Sequence, residues 1–157
     1  MGIAKRVSAS QVVMTQLVLP THTNALGSIF GGTIMSWIDV AAAIAAQRHS
    51  GKEVVTASID SLSFIAPVYK GWVVNLRASV NFTSRTSMEV GVRVDAENPQ
   101  TGESFHTASA YTTFVALDSR SKPTLVPGLN LKTDDEKRRF AAAQQRREQR
   151  LINRKKP

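Results

Sequence analysis

One carboxylate stands alone in an apolar run: Asp39, within Trp37-Ile38-Asp39-Val40-Ala41. An ionised carboxylate among such neighbours is costly unless a partner reaches it, and none is local. Held in a cleft, it is a candidate general base or nucleophile. On an exposed helix edge it is ordinary surface charge, and position alone leaves both readings open. Upstream lies Asn24, an amide that donates and accepts. Gly31 and Gly32 follow it by seven and eight residues, and Asp39 comes seven beyond the second glycine. If the glycine pair opens a helix, its free backbone N–H groups carry partial positive charge and can polarise a substrate carbonyl near Gly32. The alternative for the pair is a tight turn or close packing. Their order along the chain favours convergence, because a helix start and a carboxylate two turns along can line one cleft.

Other constellations are weaker. Arg85-Thr86-Ser87-Met88 places a guanidinium and two hydroxyls in one short break between strand patterns, adequate for a phosphate or for a solvated turn. His22, His49 and His106 show no metal-ligand spacing and read as cap or surface residues, and no metal is expected. There is no G-x-S-x-G, no P-loop and no G-x-G-x-x-G leading into a helix. Asn81-Phe82-Thr83 fits a glycosylation acceptor but lacks a secretory context. With no Cys, disulfides, thiolate zinc sites and Cys nucleophiles are excluded. The first residues, MGIAKRVSASQVVMTQ, lack the apolar run of a signal peptide, and no stretch approaches a membrane span. The expectation is a cytoplasmic protein with no membrane partner.

The elements that must position these residues are legible in the patterning. Period-two alternation sets Val74, Leu76, Ala78, Val80 and Phe82 on one face of a strand, with Asn75, Arg77, Ser79, Asn81 and Thr83 on the other. After Ser84 to Ser87 it resumes with Met88, Val90, Val92 and Val94 opposite Glu89, Gly91, Arg93 and Asp95, as a hairpin partner. A turn at 98–102 leads to a third strand, about Phe105 to Leu117. Residues 54–64 are strand-like, but their apolar parity changes between Ile59 and Leu62, which predicts a bulge or bend. Between Gly31 and Gly51 the spacing predicts a helix with Ile34, Ile38, Ala41, Ala42 and Ala45 on one stripe. Met35, Trp37, Val40 and Ile44 lie around it, so an enclosed helix is expected. A strand, this helix and four strands of meander predict an α+β domain, one helix wrapped by a curved antiparallel sheet.

The 157 residues carry a formal charge of +8, which raises the question of a polyanionic partner. Residues 1–131 hold ten Lys and Arg against eight acids, whereas 132–157 hold ten against four. We therefore read a nearly neutral domain, 1–131, followed by a basic helical tail, 132–157. Thr133-Asp134-Asp135-Glu136 is a capping box, and Phe140, Ala143, the Arg147 stem and Leu151 form only a thin apolar stripe. Such a helix docks lightly on the body or on a neighbouring subunit. Nucleic-acid binding is the alternative, but the tail offers one aromatic and no stacking platform.

The stretches NALGSIFGGTIMSWIDVAAAIAAQRHSG, VVTASIDSLSFIAPVYKG, TSRTSMEVGVRVDAENPQTGE and TASAYTTFVALD, from about Val13 to Pro127, resemble the hotdog-fold acyl-CoA thioesterases of the bacterial cytosolic long-chain acyl-CoA hydrolase type. The resemblance implies a hotdog fold, dimers with a continuous sheet, and trimers of dimers, that is, hexamers. It implies hydrolysis of fatty acyl-CoA to free acid and CoA, with no cofactor beyond the CoA of the substrate. The family's Asn and its helical acid fall on Asn24 and Asp39, which would face each other across the dimer. The Gly32 amide would polarise the thioester carbonyl. Phe30, Gly31, Arg85, Thr86 and Ser87 would contact substrate, the last three near the CoA nucleotide. This chain has Ser84 where many relatives have Gly, and Gly71-Trp72 where Gly-Asp is common; an exposed Trp72 would be a subunit or acyl-chain contact. A non-catalytic acyl-CoA-binding protein would use the same cleft but would need neither Asn24 nor Asp39.

Overall fold

The computed structural model describes residues 3–156. In chain order the elements are β1 (Lys5–Arg6), β2 (Val12–Leu17), α1 (Gly31–Ser50), β3 (Glu53–Phe64), β4 (Val73–Thr83), β5 (Ser87–Glu97), β6 (Ser104–Leu117), β7 (Leu129–Asn130) and α2 (Asp134–Arg154). Five antiparallel strands form one sheet in the order β2-β4-β5-β6-β3, and β1 pairs separately with β7. The meander therefore covers β4, β5 and β6 only. Strand β3 does not neighbour β4; it crosses to the far edge and pairs with β6 from Glu53↔Leu117 to Phe64↔Ala108. No local pattern encodes that placement, because hairpin signals report only neighbours joined by short turns.

Inward residues Val74, Leu76, Ala78, Val80, Val90, Val92, Val94, Ala108 and Ala110 are buried with one face of α1. Ala41, Ala42, Ala45 and Ala46 let the helix lie close on the sheet, and all four are fully buried. Gly51, at φ +64, ends α1, its N–H returning to the Gln47 carbonyl. The expected enclosure of α1 does not hold within one chain. Met35 and Val40 are exposed, because a single sheet covers only one side of the helix. None of the helices among the described residues is long and apolar enough to cross a membrane.

Two details of the sheet depart from simple alternation. Between Val80 and Phe82 the register with β5 slips, which turns Phe82 to the outer face, where it meets Phe140 of α2 with ring centroids 4.9 Å apart. Phe82 thus leaves the face shared by Val74 to Val80. Strand β3 carries not one irregularity but two, between Thr56 and Ser58 and between Asp60 and Ser63, with Ser61 at φ +55. Its inward residues consequently run Val54, Thr56, Ile59, Leu62, each bulge adding one residue to the two-residue step.

On the outer face α2 is held more firmly than its apolar stripe predicts. Its start is the expected capping box, with the Thr133 hydroxyl accepting from the Glu136 N–H and the Glu136 carboxylate accepting from the Thr133 N–H. Ala143 is buried, yet the main anchor is ionic: Glu89, 1% exposed, accepts from Arg146 Nη2 at 2.7 Å and Nε at 3.0 Å. Burial pulls the Arg146 pKa down, but hydrogen bonds and the charge of Glu89 outweigh it and hold the value above the ordinary one. Arg146 also lies 3.6 Å over the Tyr111 ring, and Arg150 reaches Asp60 at 3.1 Å. Leu151, expected in the docking stripe, is exposed. Trp72, expected to be exposed, is half-buried and stacks on Phe105 and edge-on to Tyr69.

His49 is fully buried, neither cap nor surface. Its Nε2 lies 2.7 Å from the Pro127 carbonyl, while Nδ1 has no partner among the described residues. Burial lowers its pKa below 6.5; the Pro127 carbonyl opposes the shift and the charge of Lys5 adds to it. A neutral His49 therefore contributes stability that is fully present above pH 6.5, where the unfolded side chain titrates, and is lost as pH falls through the lower folded value. Denaturant midpoints measured from pH 7.5 downward should fall below about pH 6.5 in the wild type and fall less steeply in His49→Gln.

Candidate active site

Thr23 to Phe30 form a loop tied by one side chain. Asn24 Oδ1 accepts from the Leu26 N–H at 2.9 Å and the Ser28 N–H at 3.3 Å, and Asn24 Nδ2 lies 3.0 Å from Ser28 Oγ. Asn24 thereby shapes the turn that Gly27, at φ +78, completes, and its second amide N–H has no partner among the described residues. The loop delivers the chain to α1 with no side-chain cap on the helix start. Backbone bonding begins with the Thr33 N–H, leaving the Gly31 and Gly32 N–H groups without an acceptor among the described residues. The Phe30 ring lies over Gly32, so close that a Cβ there would sit 2.6 Å from it. Beside Gly31 opens an apolar cleft of about 330 Å³, lined by Ile29, Ile34, Phe64, Ile65, Pro67 and Val68 among others. Asn24, Phe30, Gly31 and Gly32 are thus brought together.

Asp39 is elsewhere in the chain's own frame. It lies about 10 Å along the helix axis from Gly32, at the usual rise per residue. The partner that sequence reasoning found missing is Thr56 on β3, whose hydroxyl donates to Asp39 Oδ1 at 2.7 Å. This bond fixes the carboxylate and leaves Oδ2 without a protein partner among the described residues. Thr56 does not stand out in the sequence; its one signal is a hydroxyl on the inward side of a strand just before its parity breaks.

Strand register shows how the two groups sit. Thr56 lies level with Phe114, Met88 and Thr83, next to the turn carrying Arg85, Thr86 and Ser87. Gly31 packs instead toward Phe64, at the other end of β3. One chain therefore sets Asp39, Thr56 and the Arg85 turn at one end of the sheet and Asn24, Phe30, Gly31 and Gly32 at the other. Arg85 is exposed, whereas the Ser87 hydroxyl is used in the turn, 2.6 Å from Ser84 Oγ.

Several large apolar side chains are exposed: Leu26 is 87% exposed, Phe64 52% and Val40 51%, and Val55 and Ile65 are exposed too. Among the described residues β3, twelve residues long, is an edge strand paired only with β6. A long apolar edge without protection is a pairing surface.

The chain is similar to known proteins in both sequence and fold. The thioesterase superfamily profile matches residues 26–103. The chain is 44% identical to the uncharacterized acyl-CoA thioester hydrolase YkhA of Bacillus subtilis, over 81% of this chain and 74% of that one. It is 40% identical to the cytosolic acyl coenzyme A thioester hydrolase of Rattus norvegicus, covering 85% of this chain but only 36% of that protein. A solved apo-hexameric acyl-CoA thioesterase superposes with a TM-score of 0.94 at 42% identity, covering 99% of this chain and 100% of that one. The Staphylococcus aureus acyl-CoA hydrolase, solved with butyryl coenzyme A and coenzyme A, superposes at 0.89 with 38% identity, covering 98% and 93%. Variants of that enzyme with one Asn, one Asp or one Thr replaced by Ala have also been solved. Its Asn precedes its Asp by 15 residues and its Thr follows by 17, the separations of Asn24, Asp39 and Thr56 in this chain.

Proposed function

This chain belongs to the thioesterase superfamily as an acyl-CoA thioester hydrolase, and we propose that it cleaves fatty acyl-CoA at sites that two copies build between them. The observation that carries this reading is the split of the site. Gly32 and Asp39 of one chain are too far apart to flank one carbonyl, but antiparallel pairing of two β3 edges sets opposite ends of the two copies level. Asn24, Gly31 and Gly32 of one copy then meet Asp39 and Thr56 of the other. The same pairing covers the exposed side of α1 and joins two five-stranded sheets into one.

In this site the Gly32 N–H, with Gly31 beside it, polarises the thioester carbonyl. Asp39, aligned by Thr56, takes a proton from water as the oxygen attacks the carbonyl carbon, and Asn24 orients that water. The oxyanion rests on the helix-start amides and collapses, the C–S bond breaks, and the proton returns from Asp39 to the CoA sulfur. Direct attack by Asp39, giving an anhydride that water then cleaves, uses the same groups. The cleft beside Gly31 receives the acyl chain, and Phe30, whose ring lies over Gly32, contacts the substrate near the carbonyl. The exposed Arg85, with Thr86 and Ser87, meets the CoA phosphates. Assembly as a trimer of dimers is supported by the likeness to the apo-hexameric enzyme, and a cytoplasmic location by the likeness to the rat cytosolic enzyme.

Subunit mixing tests the shared site. Asn24→Ala and Asp39→Asn chains should each be nearly inactive, whereas after unfolding and co-refolding half the dimers hold one intact site, restoring about a quarter of wild-type hydrolysis. No recovery in confirmed mixed dimers would place the two residues in one chain's site and overturn the reading.

A further inference from the structure

A cleft of about 490 Å³ lies neither at the helix start nor at Asp39. It opens on the outer face of the sheet, beneath α2, opposite the face that α1 covers. Its floor is made of small side chains. Ser79 pairs across the strands with Gly91, and a Cβ at Gly91 would lie 2.5 Å from Asn81 Nδ2, so a side chain there would displace the Asn81 amide.

Its walls are basic. Arg77 of β4 and Arg93 of β5 are direct cross-strand partners on this face. Arg138 and Arg139 reach it from α2, and Arg146 closes its inner end. Arg93 has Asp95 and Arg138 has Asp135, both in exposed pairs, and Arg146 is committed to Glu89. Among the described residues neither Arg77 nor Arg139 has a carboxylate within 4 Å. Like charges directly opposite on neighbouring strands destabilise a sheet, and of this facing Arg pair only Arg93 has a carboxylate, Asp95, so an anion lying between the two guanidinium groups would relieve the remaining repulsion. Guanidinium groups bind phosphate oxygens in pairs of parallel hydrogen bonds, and the cleft volume falls in the range of small-molecule sites, well beyond a single phosphate.

We infer that the cleft between α2 and the outer face of β4 and β5 binds a small molecule carrying a diphosphate, with Arg77 and Arg93 gripping one phosphate and Arg139 the other. The site is separate from the hydrolytic one and stands whether or not the reading of Asp39 does. Two sources share this chemistry, the diphosphate of CoA itself and that of another metabolite, and the probes separate them.

Inorganic pyrophosphate and CoA are titrated into the full-length protein at low ionic strength, by calorimetry and by thermal melting, for wild type, Arg77→Gln/Arg139→Gln and Arg77→Lys/Arg139→Lys. Pyrophosphate should bind the wild type about one per chain, bind the Gln variant at least tenfold more weakly, and be largely restored in the Lys variant. Without anion the Gln variant should melt no lower than the wild type, since it relieves repulsion. If CoA is the natural source, wild type takes one more equivalent of CoA per chain than the Gln variant. If another metabolite is, CoA stoichiometry is equal in the two while pyrophosphate still discriminates them. No pyrophosphate binding by the wild type, as when another copy covers the cleft, overturns the inference. So does equal pyrophosphate binding in the Gln variant, or a lower anion-free melting temperature for it.

Discussion

Asp39→Asn is expected to lower acyl-CoA hydrolysis by ~10²-fold or more while leaving CoA binding nearly intact. Asn preserves the shape of the side chain and the bond from the Thr56 hydroxyl, which can still be accepted at Oδ1, so the helix and β3 keep their relation. What is lost is the free oxygen that, in the proposed mechanism, takes the proton or attacks the carbonyl. The loss should therefore appear in kcat, with KM little changed, in a thiol-release assay run across acyl lengths. Turnover within a few-fold of wild type would remove Asp39 from the chemistry and leave the helix-start amides as a binding feature only. Using several chain lengths also separates this effect from the cleft beside Gly31, where a lesion would change the preference rather than the rate for every substrate.

Arg146→Met is expected to release α2 from the sheet. Glu89 is 1% exposed, and without Arg146 its nearest remaining partners are Asn81 Nδ2 at 3.4 Å and Arg150 at 3.8 Å. Stranding a buried carboxylate costs about 3 kcal/mol or more. The chain can avoid that cost by letting the helix leave, since α2 contributes few apolar contacts besides Phe140 and Ala143. The effect should thus be local: amide exchange protection in α2 falls by about 10²-fold while β4, β5 and β6 keep theirs. Glu89→Met combined with Arg146→Met removes both charges and packs beside Phe82 and Tyr111, so most of the protection should return. A double variant no better than Arg146→Met would show that the pair itself does not hold the helix.

These two sites divide what local sequence reports from what it does not. The limits of α1, the hairpins of β4, β5 and β6, and the cap at Thr133 are set by residues within a few positions of one another. Asn24, the glycine pair and Asp39 stand out for the same reason, a polar or small residue where the pattern calls for an apolar one. Thr56 and Glu89 do not stand out, because a Thr in a strand and a Glu on its polar face obey the alternation. Their roles come from partners 17 and 57 residues away, Asp39 and Arg146. The turn of Phe82 toward α2 is hidden likewise, since the slip at Asn81 leaves the apolar spacing of the sequence unchanged.

The crossing of β3 to the far edge also orders events during synthesis. The residues of β3 find their partners in β6, from Glu53 with Leu117 to Phe64 with Ala108, so the strand stays unpaired until more than forty further residues have emerged. Thr56 has no fixed place before then, and the apolar edge of β3 is formed last. Under the proposed pairing of two copies, an emerging chain lacks the edge through which it would dimerise until β4, β5 and β6 are complete, and acquisition of activity becomes a late checkpoint of folding.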